Sequence, residues 1–336
     1  MININIQFPD TSFIHKSWNT PLDVHNNDIT WTTNYDTPDV IINNRFLHPK
    51  LRNQFDDFTY CGTLEWQNAN IYLYGSTRWQ FPTNAFKVIR LMRELSNDNR
   101  YMNIYLCPID TPKIYNGGNM GSTLIINSGM SNPYTNSIVI WRKEEMLKVL
   151  IHEMIHALDM DLKKSPSFMM DIVNLHPESY YHPNESACDT LTILILCVLN
   201  SIVNKVLPED VFKLEVNWCL LQASRVLWWN KCVCFNDIKR KQFRQDCDMF
   251  SYYITKAAIL FAIAFGNSEM LNCFFARCNK MRDFINVKNN TKANLWQHIY
   301  NSINNKSFQQ YINRLLKSNH MVPFTMRMSK CELYLN

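Results

Sequence analysis

The chain has 336 residues, of which 46% are hydrophobic and 13% aromatic, with a formal net charge of +5. That length and apolar content provide a real core for one large or two modest domains and exclude a disordered chain. The positive excess is spread along the sequence, which argues against nucleic-acid binding, and charged residues, at 19%, fall below the usual quarter.

Asparagine takes up much of the missing charge, at about one residue in eight. The opening stretch MININIQFPDTSFIHKSW has no basic region followed by an apolar run, so it is not a signal peptide, and the protein is expected to be intracellular. Its 11 cysteines then start as thiols, and the odd count leaves at least one free or paired with another chain. The longest apolar run, LTILILCVL at 191–199, is too short to span a bilayer, and no membrane partner is expected.

Residues 1–57 are polar, and Pro9, Pro21, Pro38 and Pro49 interrupt any periodicity; they read as an extended N-terminal arm. FTYCGTLEW and ANIYLYGSTRW alternate aromatic and polar residues around Gln-Asn, which predicts a hairpin. TNAFKVIRLMRELSNDN has helical spacing, with Thr83 as the expected N-cap. YMNIYLCP, STLIIN and NSIVIW read as strands. A helix follows from about Lys143 to Leu162, with Leu147, Ile151, Met154, Leu158 and Leu162 as its apolar stripe. From Asn184 onward the pattern is helical, over 184–206, 209–229, 237–265, 267–284 and 292–317. The expected class is α+β, predominantly helical: a small sheet with motif helices, then an all-helical C-terminal half. The expected domains are the arm 1–57, a sheet-bearing domain 58–206 and a helical domain 207–336.

The helix at 143–162 carries VLIHEMIHALDMD. Residues four apart share a helix face, so His152 and His156 can offer two imidazole nitrogens to one tetrahedral zinc ion, with Glu153 beside them to reach a bound water. Chance would place His-Glu-x-x-His in roughly one such chain in a hundred. A third ligand is available at Glu185, 29 residues beyond His156, in HPNESACDT. Asp189, four residues further, could fix the tautomer of His152 from behind.

His-Glu-x-x-His followed by Asn184, Glu185, Cys188 and Asp189 resembles the gluzincin metallopeptidases of the thermolysin type, with Cys188 where that pattern has Ser. The similarity covers about residues 83–206. It implies a zincin-like fold, zinc on His152, His156 and Glu185, Glu153 as general base, and Asn184 and Asp189 in support. The family's oxyanion-stabilising His or Tyr has no motif here; Tyr180, Tyr181 and His182 are candidates by proximity. A metzincin would need Gly at 159 and His at 162, where this chain has Asp159 and Leu162.

Other features have plainer readings. Cys232 and Cys234 fit no standard zinc spacing and read as buried thiols or disulfides. The basic run at 239–244 reads as a solvated helix face, and Trp228 and Trp229 as packing residues. Two functions from different classes fit the whole. One is an active zinc metallopeptidase. The other is a self-assembling structural protein, favoured by low charge density, which weakens repulsion between copies, by a long arm open to exchange between neighbours, and by abundant thiols for cross-links. On these whole-chain features the protein resembles the polyhedrins, the occlusion-body proteins of nudiviruses. That resemblance implies a crystalline lattice around virions, with the chain itself as partner and deposition in the host nucleus.

Overall fold

The computed structural model describes residues 4, 6–162, 165–278, 280, 291–318 and 322–333, with backbone alone at 291–294. Helix α1 (Ser12–Asn19), strand β1 (Thr30–Thr32) and the short helices α2 (Asp39–Ile42) and α3 (Pro49–Arg52) come first. Strands β2 (Tyr60–Trp66) and β3 (Ala69–Gly75), helix α4 (Thr83–Ser96) and strand β4 (Met102–Ile109) follow. Next are β5 (Ile114–Tyr115), α5 (Thr123–Ile126), β6 (Gly129–Asn132), β7 (Ser137–Arg142) and α6 (Met146–Ala157). Helices α7 (Pro183–Asn204), α8 (Pro208–Trp229) and α9 (Asp237–Arg240) lead to a π-helical segment, Phe250–Thr255. The chain continues through α10 (Lys256–Ala264), α11 (Ser268–Phe275), α12 (Thr291–Ile303), α13 (Lys306–Leu316) and β8 (Phe324–Thr325).

The protein is α+β, 50% helix and 13% strand, with a mixed six-stranded sheet in the N-terminal half and a mostly helical C-terminal half. It comprises two compact units. The sheet unit is Ser12–Lys113 with Asn127–Met160, and Glu332 is also counted to it. The helical unit is Ile114–Ile126 with Asp161–Cys331, and the described residues before Ser12 belong to it. These limits differ from the expected cuts at 57/58 and 206/207.

In the sheet unit the strand order is β1-β2-β3-β4-β7-β6. β3, β4 and β7 run parallel, and the outer pairs are antiparallel. The hairpin forms at Gln67 and Asn68, both with positive φ (48° and 56°), the conformation a tight two-residue turn demands. Residues 12–57 are not an extended arm. Ile14, Trp18, Ile41, Leu47, Leu51 and Phe55 are buried, and β1 pairs with β2. The Arg90 guanidinium of α4 donates to the carbonyls of Ser17, Thr20 and Pro21 at 2.7, 2.7 and 2.8 Å, where α1 ends and its carbonyls need donors. Trp66 Nε1 donates to Asp23 at 2.8 Å.

Several local expectations change. STLIIN is not a strand: its centre is α5. The strand before β7 is instead Gly129–Asn132, and it takes the sheet edge. β7 lies inside the sheet with all six residues buried, because neighbours cover both its sides and its apolar run suits that. Thr83 is the first residue inside α4 rather than its cap. α6 is shorter than 143–162, because Glu145 and Asp159 adopt left-handed φ values of 61° and 55°.

In the helical unit, α7 is long and apolar enough to cross a membrane, yet 89% of that stretch is buried inside the protein. The expected helix at 237–265 is broken, since residues 238–243 exchange backbone bonds with the 174–176 segment: Asn174 N to Ile238 O, Phe243 N to Asn174 O and His176 N to Phe243 O. The helix expected at 292–317 splits at Asn305, whose side chain caps α13 by accepting from Phe308 N at 3.0 Å. Part of the helix expected at 267–284 lies outside the described residues. None of the eleven cysteines is disulfide-bonded.

Candidate metal centre

The centre begins with the placement of α6. Strand β7 delivers the chain to Glu145, whose left-handed backbone turns it directly into the helix. A non-glycine residue tolerates that conformation only where its surroundings hold it. Here Lys113 Nζ donates to Glu145 Oε2 at 2.9 Å with both side chains buried, and Glu332 Oε1 accepts from Glu145 N at 2.8 Å. Burial pushes the Lys113 pKa down, against the pull of Glu145. The first turn of α6 is thereby held from both the backbone and the side chain of Glu145.

Two turns on, the Nε2 atoms of His152 and His156 lie 3.3 Å apart, with ring centroids at 4.9 Å and planes 74° apart. Two nitrogens each about 2.05 Å from a tetrahedral zinc stand about 3.3 Å from one another. The i, i+4 pair therefore already has the spacing of two ligands on one ion. The sheet unit thus presents two imidazole nitrogens, on one face of α6, that could take part in holding a metal ion. Imidazole nitrogen is a donor that zinc takes.

Glu153 is buried beside the first histidine. Edge strand β6 passes over it so closely that a Cβ on Gly129 would stand 3.2 Å from Glu153 Cγ and 2.5 Å from Val149 Cγ1. Glycine at 129 is thus a requirement of the strand-on-helix approach.

The other residues expected at the site belong to the helical unit. Asn184 and Glu185 lie in the first turn of α7. Glu185 Oε2 accepts from the Tyr252 hydroxyl at 3.0 Å, and Tyr252 sits on the π-helical segment, a rare geometry often found at functional sites. Asp189 is fully buried and carries Lys256: Nζ to Oδ2 is 2.5 Å, with the side chains 1% and 0% exposed. His182 is oriented by Asp248, which accepts from its backbone N at 2.8 Å and pairs with Nδ1 at 2.9 Å. The bond to Asp248 raises the His182 pKa, with desolvation acting against it. The Tyr181 hydroxyl is buried and bonded to Thr255, so it faces the core, and Tyr180 is exposed.

Lys256, Tyr252 and Asp248 were not found from the sequence. Lys256 did leave a signal, as the one charge in the apolar run YYITKAAILFAIAF. Among the thiols, Cys232 is pushed up to about 11 by burial, and the neighbouring loop is tied by Asp237, which accepts from the backbone of Val233 and Cys234.

Comparison with known proteins finds no relative: no protein-family model, no curated protein and no solved structure matches the chain. The functional reading therefore rests on the residues themselves.

Proposed function

We propose that this chain is a self-assembling structural protein of a viral occlusion body, built on a gluzincin-like scaffold that keeps its metal position as a structural zinc centre. The observation that carries the reading is the burial of His152 and Glu153, with His156 partly exposed. His152 and Glu153 are 5% and 7% exposed, whereas a catalytic zinc needs an open position for water and substrate. When bound, the ion supplies cross-linking of its ligands to the folded state; His152 and His156 hold it from one helix face, and Glu153 stays packed beneath β6.

Support for assembly comes from composition. Charge is sparse, at 19% of residues, which weakens repulsion between copies. The partner is the chain itself, with neither nucleic acid nor membrane, and deposition is in the host nucleus.

The second reading is an active zinc metallopeptidase, with Glu153 as general base. It is favoured by the position of Glu153 directly after a ligand histidine and against the edge strand. Zinc content and casein cleavage of purified full-length protein separate the two. We expect about one zinc per chain, no chelator-sensitive cleavage, and unchanged assembly in Glu153→Gln. Cleavage that falls by roughly two to four orders of magnitude in Glu153→Gln would restore the peptidase, and absence of zinc would remove the centre.

A further inference from the structure

The dipeptide Asn-Gly occurs once in the chain, at Asn116–Gly117 in the stretch IYNGGNMG. It lies in the helical unit, between two anchored points. On one side β5 pairs with β8, Tyr115 opposite Phe324, and the two rings pack at 5.1 Å. On the other, Asn119 Nδ2 donates to Asp246 Oδ2 at 2.6 Å, Gly121 N donates to Asn119 Oδ1 at 3.1 Å, and Met120 is fully buried. Residues 116–118 bridge these points and are all exposed. Neither the Asn116 side chain nor the Gly117 amide forms a hydrogen bond with a described residue. Gly117 has a φ of 97°, and a Cβ placed there or on Gly118 would meet nothing within 4 Å.

We infer that Asn116–Gly117 is a modification site, at which the folded chain converts Asn116 to aspartate and isoaspartate with water as the only co-reactant. The Gly117 nitrogen attacks Asn116 Cγ and closes a five-membered imide. The Cγ–Nδ2 bond breaks, and the side-chain amide leaves as ammonia with the proton from Gly117 N. Water then opens the ring at either carbonyl. Opening at Cγ gives aspartate. Opening at the former main-chain carbonyl gives isoaspartate, whose main chain runs through Cβ and Cγ and is one carbon longer. Either product replaces a neutral amide with a carboxylate, which lowers the formal net charge by one from +5.

Ring closure needs a nitrogen that nothing shields and a backbone free to turn. Glycine supplies both, since it lacks a side chain and reaches conformations closed to other residues. The bridge also holds no packed side chain, so 116–118 can absorb the extra main-chain carbon while both anchors stay in place. The Asn-Ser pairs, next in reactivity, lack this freedom. Asn200–Ser201 and Asn301–Ser302 lie inside α7 and α12. The Asn267 side chain accepts from Met270 N at 3.0 Å, and Asn127 Nδ2 donates to Phe46 O at 3.4 Å. Ser137, after Asn136, is fixed in β7 between Asn103 and Asn132. The reaction requires only the folded chain in solution, whether or not copies assemble.

The test incubates folded full-length protein in neutral buffer and follows each asparagine by peptide mapping, with electron-transfer fragmentation to separate aspartate from isoaspartate. The expected result is a gain of one mass unit at Asn116, at close to the rate of the free peptide IYNGGNM and ahead of every Asn-Ser position. Isoaspartate should appear with it, as methyl acceptance at residue 116 from protein L-isoaspartyl methyltransferase. Asn116→Gln, whose longer side chain closes a six-membered ring far more slowly, should fold as the parent does and lose both signals. An Asn116 that keeps its amide as long as Asn267 does, or that reacts only once the chain is denatured, overturns the inference. Methyl acceptance that persists undiminished in Asn116→Gln overturns it as well.

Discussion

The Lys256–Asp189 pair offers the sharpest test of how the helical unit is held together. Both groups are buried, at 2.5 Å, and Lys256 also donates to Met328 O. Lys256→Met keeps the aliphatic stem but removes the ammonium group paired with the buried Asp189 carboxylate. Breaking a buried pair from one side costs about 3–5 kcal/mol, because the remaining charge keeps its desolvation penalty without its partner. Replacing both partners with apolar residues of similar volume is often neutral or stabilising by about 1–4 kcal/mol. The double variant Lys256→Met/Asp189→Leu should therefore recover most of what the single variant loses, apart from about 1–2 kcal/mol for the carbonyl of Met328. Native-state hydrogen exchange of the α7 and α10 amides reads this locally, without assuming that both units unfold together. A single variant within about 1 kcal/mol of the parent, or a double variant as unstable as the single, would refute the reasoning.

Other perturbations should act as locally. Gly129→Val places atoms inside contact distance of Val149 and Glu153 and should lower stability by about 1–3 kcal/mol by overpacking; an unchanged melting temperature would show that β6 does not lie on α6 as described. Arg90→Ala removes three donors from the end of α1, so limited proteolysis should open residues 12–24 first, and equal cleavage rates in both proteins would count against the clamp. Burial raises the Glu215 pKa above its ordinary 4.5, although three donors pull it down. A carboxyl that holds its proton more tightly folded than unfolded contributes stability that is complete below pH 4.5 and declines as pH rises through the raised value. Exchange protection of 324–331 should decline over that window in the parent and stay flat in Glu215→Gln; a parent profile that rises instead would reverse the assignment. His156→Ala should lose bound zinc and melt earlier, and retention of a full equivalent would place the metal elsewhere.

Much of the fold follows from patterns that a few consecutive residues carry. The hairpin at Gln67–Asn68, strands β4 and β7, and helices α7 and α8 all come from periodicity and turn chemistry, which depend on neighbours in sequence. The His152–His156 pair is of the same kind: on a helix, a spacing of four almost dictates a nitrogen separation suited to one ion. Strand β6 was not legible, because GMSN has one large apolar residue and becomes a strand only through β7 beside it. STLIIN reads as a strand locally but is largely taken up by α5. The broken helix at 237–265 reflects backbone pairing with residues 174–176, some sixty residues away in the chain. Which charges meet in the interior was likewise undetermined: Asp189 and Lys256, Glu145 and Lys113, Glu215 and the 329–331 segment are partners far apart in sequence. A buried charge stands out in a sequence as an anomaly, but its partner is set by the packing of whole elements, where desolvation makes the pairing obligatory. The sequence by itself determined the hairpin, the central strands, helices α4, α7 and α8 and the i, i+4 histidine pair of α6; the tertiary structure decided the sheet edge, the fold of residues 12–57, the breaks in the later helices and every buried ion pair, because those depend on burial energies that no local window contains.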